Sequence, residues 1–132
     1  MQAATSLHAV IYAKEAGAVA LFYEQVLKLV RVEESSSFVL LADNGYELSV
    51  VAMPAHLAEN VEVQSPPIPR EETPVKLSFL VPDIEARRHA VLSAGGSLKP
   101  AEAAWSWRGQ LHLDGLDPEG NVFQLRQLAG SV

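Results

Sequence analysis

Asp117-Pro118-Glu119-Gly120-Asn121-Val122-Phe123-Gln124-Leu125 decides the fold, because a tight turn runs directly into a strand. Pro118 fixes φ in the first half of the turn, Gly120 or Asn121 supplies positive φ, and Asp117 is placed to accept backbone N–H groups ahead of it. Beyond the turn the side chains alternate. Phe123 and Leu125 point to one face and Val122, Gln124 and Arg126 to the other, so an apolar core face is backed by a mixed one. Read alone, this strand leaves Gln124 as an ordinary solvated side chain.

The same periodicities run through the rest of the chain. Leu7 to Tyr12 alternates as a strand with His8 and Tyr12 on one face, and Glu15 to Leu27 changes to helical spacing, with Val19, Phe22, Tyr23, Val26 and Leu27 forming one apolar stripe. Three short strands follow at 30–34, 37–42 and 46–51, joined by a Ser35-Ser36 turn and an Asp43-Asn44-Gly45 hairpin turn. On the last of these Glu47 and Ser49 oppose Tyr46, Leu48 and Val50. Between Pro54 and Pro74 prolines and charges dominate, including the pair Glu71-Glu72, which reads as a linker with one helical turn near His56 to Asn60.

After the linker the pattern restarts. Val75 to Val81 reads as a strand, Asp83 as the N-cap of a helix and Gly95-Gly96 as its C-cap, with further strands at 97–99, 110–116 and 122–128. The chain is thus an α+β protein in which strand, helix and three strands occur twice: module one at 6–53, linker at 54–74 and module two at 75–129, within one domain spanning 1–132. Overlaying the halves sets His8 against Lys76 and Glu47 against Gln124, with the longer second-half loop holding Trp105 and Trp107.

The bulk properties narrow the function. With 132 residues, 48% hydrophobic and 20% charged, the chain supports one core shared by two small halves, not separate catalytic and binding domains. A formal net charge of −6 without any basic run argues against nucleic acid or an anionic membrane as partner, leaving small molecules and proteins. Having no cysteine removes disulfides, thiolate metal sites and cysteine nucleophiles. No apolar run reaches the roughly 20 residues of a membrane span and no signal peptide is read, so the expected location is cytoplasmic.

In its doubled plan, its His8 strand, its Phe22-Tyr23 helix, its Tyr46-Glu47-Leu48 strand and its Asp117 to Leu125 segment, the chain resembles the vicinal oxygen chelate superfamily from Leu7 to Leu128. That superfamily includes glyoxalase I, extradiol dioxygenases, and bleomycin and fosfomycin resistance proteins. The resemblance implies two βαβββ modules whose curled mixed sheets surround a cavity, with His8, Glu47, Lys76 and Gln124 presented to one centre. In metal-using members such positions hold mostly His and Glu, sometimes Gln. Lys76 departs from that chemistry: an ammonium has no lone pair, and deprotonating it at pH 7 costs roughly 4 to 5 kcal/mol. Gln124 is a poorer donor than a carboxylate.

The expectation is therefore no cofactor. Lys76 replaces the metal's charge by pairing with Glu47, while Gln124 hydrogen-bonds to either; a divalent metal, if present, is held by His8, Glu47 and Gln124, or recruits His112. His8, Tyr12, Glu47, Lys76, Trp105, Trp107, Gln124 and Arg126 are the candidate ligand-binding residues, and Lys76 and Glu47 the candidate acid–base pair. Trp105 and Trp107 suit an aromatic rim, and Arg126 suits a ligand carboxylate or phosphate. His112 and Asp114 are read as the polar face of a strand, His56 and His89 as surface. The resemblance implies a homodimeric small-molecule-binding protein; a metal-dependent lyase, isomerase or dioxygenase with a reduced ligand set, and an interaction module with a collapsed cavity, are the competing readings.

Overall fold

Alternation in the first segment sets the architecture: Ala9, Ile11 and Ala13 of β1 (Leu7–Ala13) turn inward, while His8, Val10 and Tyr12 are exposed. The computed structural model describes residues 7–130 except Asn44 and Glu71, so the residue before β1 in module one, the middle of the Asp43-Asn44-Gly45 turn and half of the Glu71-Glu72 pair lie outside the described residues. Strand β1 pairs in parallel with β4 (Tyr46–Ala52), which sets His8 beside Glu47. With β3 (Phe38–Asp43) and β2 (Val30–Glu34) they form a four-stranded mixed sheet in the order β1-β4-β3-β2. Helix α1 (Ala16–Leu27) covers its inner face with Val19, Phe22, Tyr23 and Val26, the stripe expected from the spacing.

The second sheet follows the same plan with deviations. Strand β5 (Leu77–Leu80) pairs in parallel with β9 (Val122–Leu128), β9 pairs antiparallel with β8 (Gln110–Leu116), and β8 also carries β6 (Ser97–Leu98) and β7 (Trp105–Trp107). The result is α+β, with two separate mixed sheets and no closed barrel among the described residues. A short helix, α2 (Ala55–Ala58), lies in the connecting segment.

Three sequence expectations are corrected. The second-half helix is a tight turn at Glu85–Arg87 followed by the short helix α3 (Arg88–Ser93), its start held where Gln127 Oε1 takes the Ile84 N–H at 2.7 Å. The strand expected from Val75 begins only at Leu77, so Lys76 precedes it. The tryptophan loop is a strand: Arg108 and Gly109 both adopt positive φ, 53° and 73°, forming a two-residue turn that folds β7 back on β8.

One aromatic cluster joins the halves. The Phe22 ring meets Tyr23 edge-on at 5.1 Å and Phe123 at 5.5 Å, and Tyr23 also contacts Phe79 at 6.1 Å. Hence α1 of the first half is wedged against the inner face of the second sheet. The Asp117 turn locks this contact. Tyr23 donates its hydroxyl to Asp117 Oδ2 at 2.8 Å, while Asp117 Oδ1 accepts the N–H groups of Glu119 and Asn121 at 2.9 and 3.0 Å.

Glu119, 4% exposed, accepts the backbone N–H groups of Lys14 and Glu15 at 2.8 and 2.7 Å. The turn of the second half therefore caps the entry to α1, which has no side-chain cap of its own, and sets a negative charge where the helix dipole favours one. Gly120, at φ +84°, lies so close to the Ile68 carbonyl that no Cβ fits, and its own carbonyl accepts the Arg70 N–H at 2.9 Å. The connecting segment is thus strapped across the turn.

Removing the Tyr23 hydroxyl leaves a buried carboxylate short of one donor, so Tyr23→Phe is expected to cost about 1–3 kcal/mol in a urea denaturation midpoint. The Asp117 carboxyl is raised above its ordinary value of 3.8, chiefly by burial and against its hydrogen bonds. The folded state therefore holds this proton more tightly than the unfolded chain. The corresponding stabilisation is complete below the unfolded value and is lost as pH rises through the folded one. Comparing wild type with Asp117→Asn from pH 3 to 7, the stability advantage of wild type is expected to shrink as pH rises; an advantage that grows contradicts the burial account.

Candidate functional site

On the second sheet the outward positions follow from register. Trp105 of β7 stands opposite His112 of β8, which stands opposite Arg126 of β9, itself opposite Leu80 of β5. The next row is Asp114, Gln124 and Ser78, and on the other side lie Trp107, Gln110 and Leu128. Because cross-strand neighbours share a face, one open surface carries two indoles, an imidazole, two amides, a carboxylate, a hydroxyl and a guanidinium.

These groups form a continuous hydrogen-bonded chain. Lys76 Nζ donates to both oxygens of Asp114 at 3.1 and 3.2 Å, and Gln124 Nε2 donates to Asp114 Oδ1 at 3.1 Å. Ser78 Oγ donates to Gln124 Oε1 at 2.6 Å, and Arg126 Nε donates to Ser78 Oγ at 2.8 Å. Arg126 Nη1 also reaches Gln110 Oε1 at 2.8 Å, with a weaker contact from Nη2 to the Ser78 carbonyl at 3.5 Å.

The electrostatics are uneven. Asp114 is matched by Lys76, whereas Arg126, half-buried, is held only by neutral oxygens and makes no ion pair among the described residues. His112 is 4% exposed, lies flat on the Trp105 ring at 5.4 Å and 14°, and touches Trp107 at 5.9 Å. Its Nδ1 is 3.0 Å from the Gln110 carbonyl, an oxygen that can only accept, so Nδ1 carries the proton. Ser78, Trp107, Arg108, Gln110, His112, Gln124 and Arg126 line a cleft of about 490 Å³.

The residues expected from the sequence are split between two surfaces. His8, Tyr12 and Glu47 are exposed on the open face of the first sheet, and His8 Nε2 is hydrogen-bonded to Ser49 Oγ at 2.7 Å. Trp105, Trp107, Gln124 and Arg126 do come together, on the second. The expected Lys76–Glu47 pair does not form: Lys76 is drawn to Asp114, and its ammonium sits 5.7 Å over the Trp105 ring. Gln124 bonds Asp114 and Ser78 rather than Lys76 or Glu47.

The module overlay is corrected too. His8 pairs with Glu47, but the residue paired with Gln124 is Ser78, not Lys76. Glu47 and Lys76 still border one groove, of about 570 Å³, together with Ser78 and Arg126. His112 and Asp114 are, as read from the sequence, on the polar face of their strand, where His112 stacks on Trp105 and Asp114 takes Lys76 and Gln124. A Trp-Ser-Trp run and a Gln-Leu-His-Leu-Asp run flanking an Arg-Gly turn would have marked them as one hairpin.

Within one chain the residues do not fit a metal centre. His8 and Glu47 stand on one sheet, while Gln124 on the other has its oxygen engaged by Ser78 and its amide nitrogen by Asp114. Among the described residues no group of three His, Cys, Asp or Glu side chains is placed to hold an ion. No helix is long and apolar enough to cross a membrane.

Comparison with known proteins supports the architecture. The structure aligns with a glyoxalase/bleomycin resistance protein/dioxygenase family enzyme from Burkholderia phytofirmans PsJN at TM-score 0.70 and 22% identity, covering 92% of this chain and 96% of that one. A virulence protein from Salmonella typhimurium aligns at TM-score 0.64 and 20% identity over 98% and 100%, and a fosfomycin resistance protein from Listeria monocytogenes at 0.65 and 12% over 96% and 94%. At these identities the likeness is one of fold. No curated protein sequence matches this chain. The pattern of the glyoxalase-like domain matches residues 8–126, nearly the whole length, and the chain accordingly belongs to the glyoxalase-like domain family of the vicinal oxygen chelate superfamily.

Proposed function

We propose that this is a small-molecule-binding protein of the glyoxalase/bleomycin resistance/dioxygenase type, which holds its ligand against the open face of the second sheet and uses no metal. The observation that carries the reading is Arg126: a half-buried guanidinium fixed by Ser78 and Gln110 and matched by no carboxylate among the described residues. A cation ordered in this way, in a cleft that Trp107 also lines, is arranged before any ligand arrives. A face serving only internal packing has no use for it.

The same reading makes the protein a cytoplasmic homodimer. Both open faces leave apolar side chains exposed: Val10, Tyr12 and Val30 on the first sheet, and Leu80, Trp107 and Leu128 on the second. A second copy laying its first sheet over the second sheet of its partner would cover both sets and close the cleft into a cavity. The acid–base role for Lys76 and Glu47 is weakened, because Lys76 is spent on Asp114.

Protein purified without chelator, then titrated with Ni²⁺, Zn²⁺, Mn²⁺ and Fe²⁺, is expected to take up no stoichiometric metal by elemental analysis. Uptake that is lost in Glu47→Ala would sink the metal-free reading in favour of a metal-dependent enzyme. Binding itself is read from the two indole N–H signals of ¹⁵N-labelled protein against a panel of neutral, cationic and anionic aromatic compounds. At least one class is expected to move them, and Arg126→Gln to weaken that response. Sedimentation is expected to show a dimer that Tyr12→Lys disrupts.

A further inference from the structure

The cleft on the second sheet presents three unmet demands, and together they define a ligand. The first is charge. A guanidinium has five N–H groups, and Arg126 engages three through Ser78 Oγ, Gln110 Oε1 and the weak Ser78 carbonyl contact. Arg108, over the Trp107 ring at 5.4 Å, lines the same cleft, while the nearby carboxylate, Asp114, is taken by Lys76 and Gln124. Glu47 borders the adjoining groove with Lys76 and Arg126 without pairing to either among the described residues, so what the cleft offers is the unengaged N–H groups of Arg126.

The second demand is a hydrogen-bond donor. Since Nδ1–H of His112 is given to the Gln110 carbonyl, the neutral ring keeps its lone pair on Nε2, which has no partner among the described residues. The side chain is 4% exposed and lines the cleft. Nε2 is not sealed from solvent, so it is an accessible acceptor that a donating ligand can engage in place of water. The third demand is shape: Trp107, 61% exposed, walls the cleft with a flat apolar surface.

We infer that the ligand is a planar organic anion carrying a separate hydroxyl or N–H donor: its anionic group on Arg126, its flat body against Trp107, its donor on His112 Nε2. The assignment rests on the reading of this cleft as the ligand site. It gives roles to His112 and Arg126, which stand opposite each other, while Gln124 in the next row bonds Ser78 and Asp114. The closed chain of donors pointing toward Asp114 holds Arg126 in one orientation, which selects a carboxylate over a diffuse anion.

The test uses the wild-type protein with 3- and 4-hydroxybenzoate, the matching methoxybenzoates and the matching hydroxybenzyl alcohols. One of the hydroxybenzoates is expected to bind roughly tenfold more tightly than both its methoxy and its alcohol counterpart, by shifts of the indole signals. His112→Phe, which keeps a flat ring, is expected to abolish the hydroxyl preference, and Arg126→Gln the carboxylate preference. Acid and alcohol binding equally, or hydroxy and methoxy binding equally, would overturn the assignment without any variant. If neutral or cationic aromatics move the indole signals and the hydroxybenzoates do not, the ligand class fails and the cleft stands. If no compound moves them, the cleft fails with it.

Discussion

The structure depends on two carboxylates in one turn. Asp117 and Glu119 are both buried, and a buried carboxylate is tolerated only where donors surround it. Asp117 is satisfied by its own turn and by Tyr23; Glu119 by the Lys14 and Glu15 N–H groups, with Arg70 at 3.6 Å. Every one of these partners outside the turn belongs to a different part of the chain: α1, the junction before it, or the connecting segment. The turn therefore sets where the helix of the first half lies relative to the second sheet. It also launches β9 in a fixed register, with Phe123 and Leu125 inward and Gln124 and Arg126 outward. A one-residue slip would exchange those faces and dismantle the candidate site.

Charge allocation on the second sheet then decides what the surface can bind. Of the carboxylates near Lys76 and Arg126, Asp114 is claimed by Lys76, while Glu47 borders the same groove with no ion pair to either among the described residues. Had Lys76 reached Glu47 across the groove, Asp114 would have been left with the Gln124 amide as its donor. The Lys76–Asp114 pair is 40% and 18% exposed, so its own contribution to stability is small, of order 1 kcal/mol or less. Its consequence for binding is larger than its consequence for folding.

What the sequence made legible was local. The Asp-Pro-Glu-Gly-Asn turn, the strand alternation and the α1 stripe are set by φ preferences and periodicity, and the doubled element order follows from them. What it concealed was pairing across distance. Lys76 and Ser78 lie two residues apart on the same face, so alternation cannot say which stands beside Gln124; only the β5–β9 register does. Strand β7 was hidden because its hairpin turn is Arg108-Gly109, where a non-glycine residue takes the first positive φ, rather than Asn-Gly. Tyr23 read as core, and so it is, but its hydroxyl partner lies 94 residues away. Glu119 read as a turn residue, with nothing local to show that it caps a helix of the other half.

The positions the resemblance assigned to one centre stand on two separate sheets. His8 and Glu47 remain neighbours on the first sheet, yet Gln124 has become a link between Ser78 and Asp114, two strands' worth of register that holds Arg126 in place. An amide suits that task because it donates at one end and accepts at the other, whereas a glutamate at 124 would repel Asp114. The residue whose oxygen and nitrogen are both engaged by neighbouring side chains is thus the one that links to the Ser78 hydroxyl holding the guanidinium. In the homodimer proposed above, the first sheet of a second copy would exclude water from this face, and the field of Arg126 would strengthen as the local dielectric falls. Covering the site therefore adds affinity for an anion through contacts that never touch it.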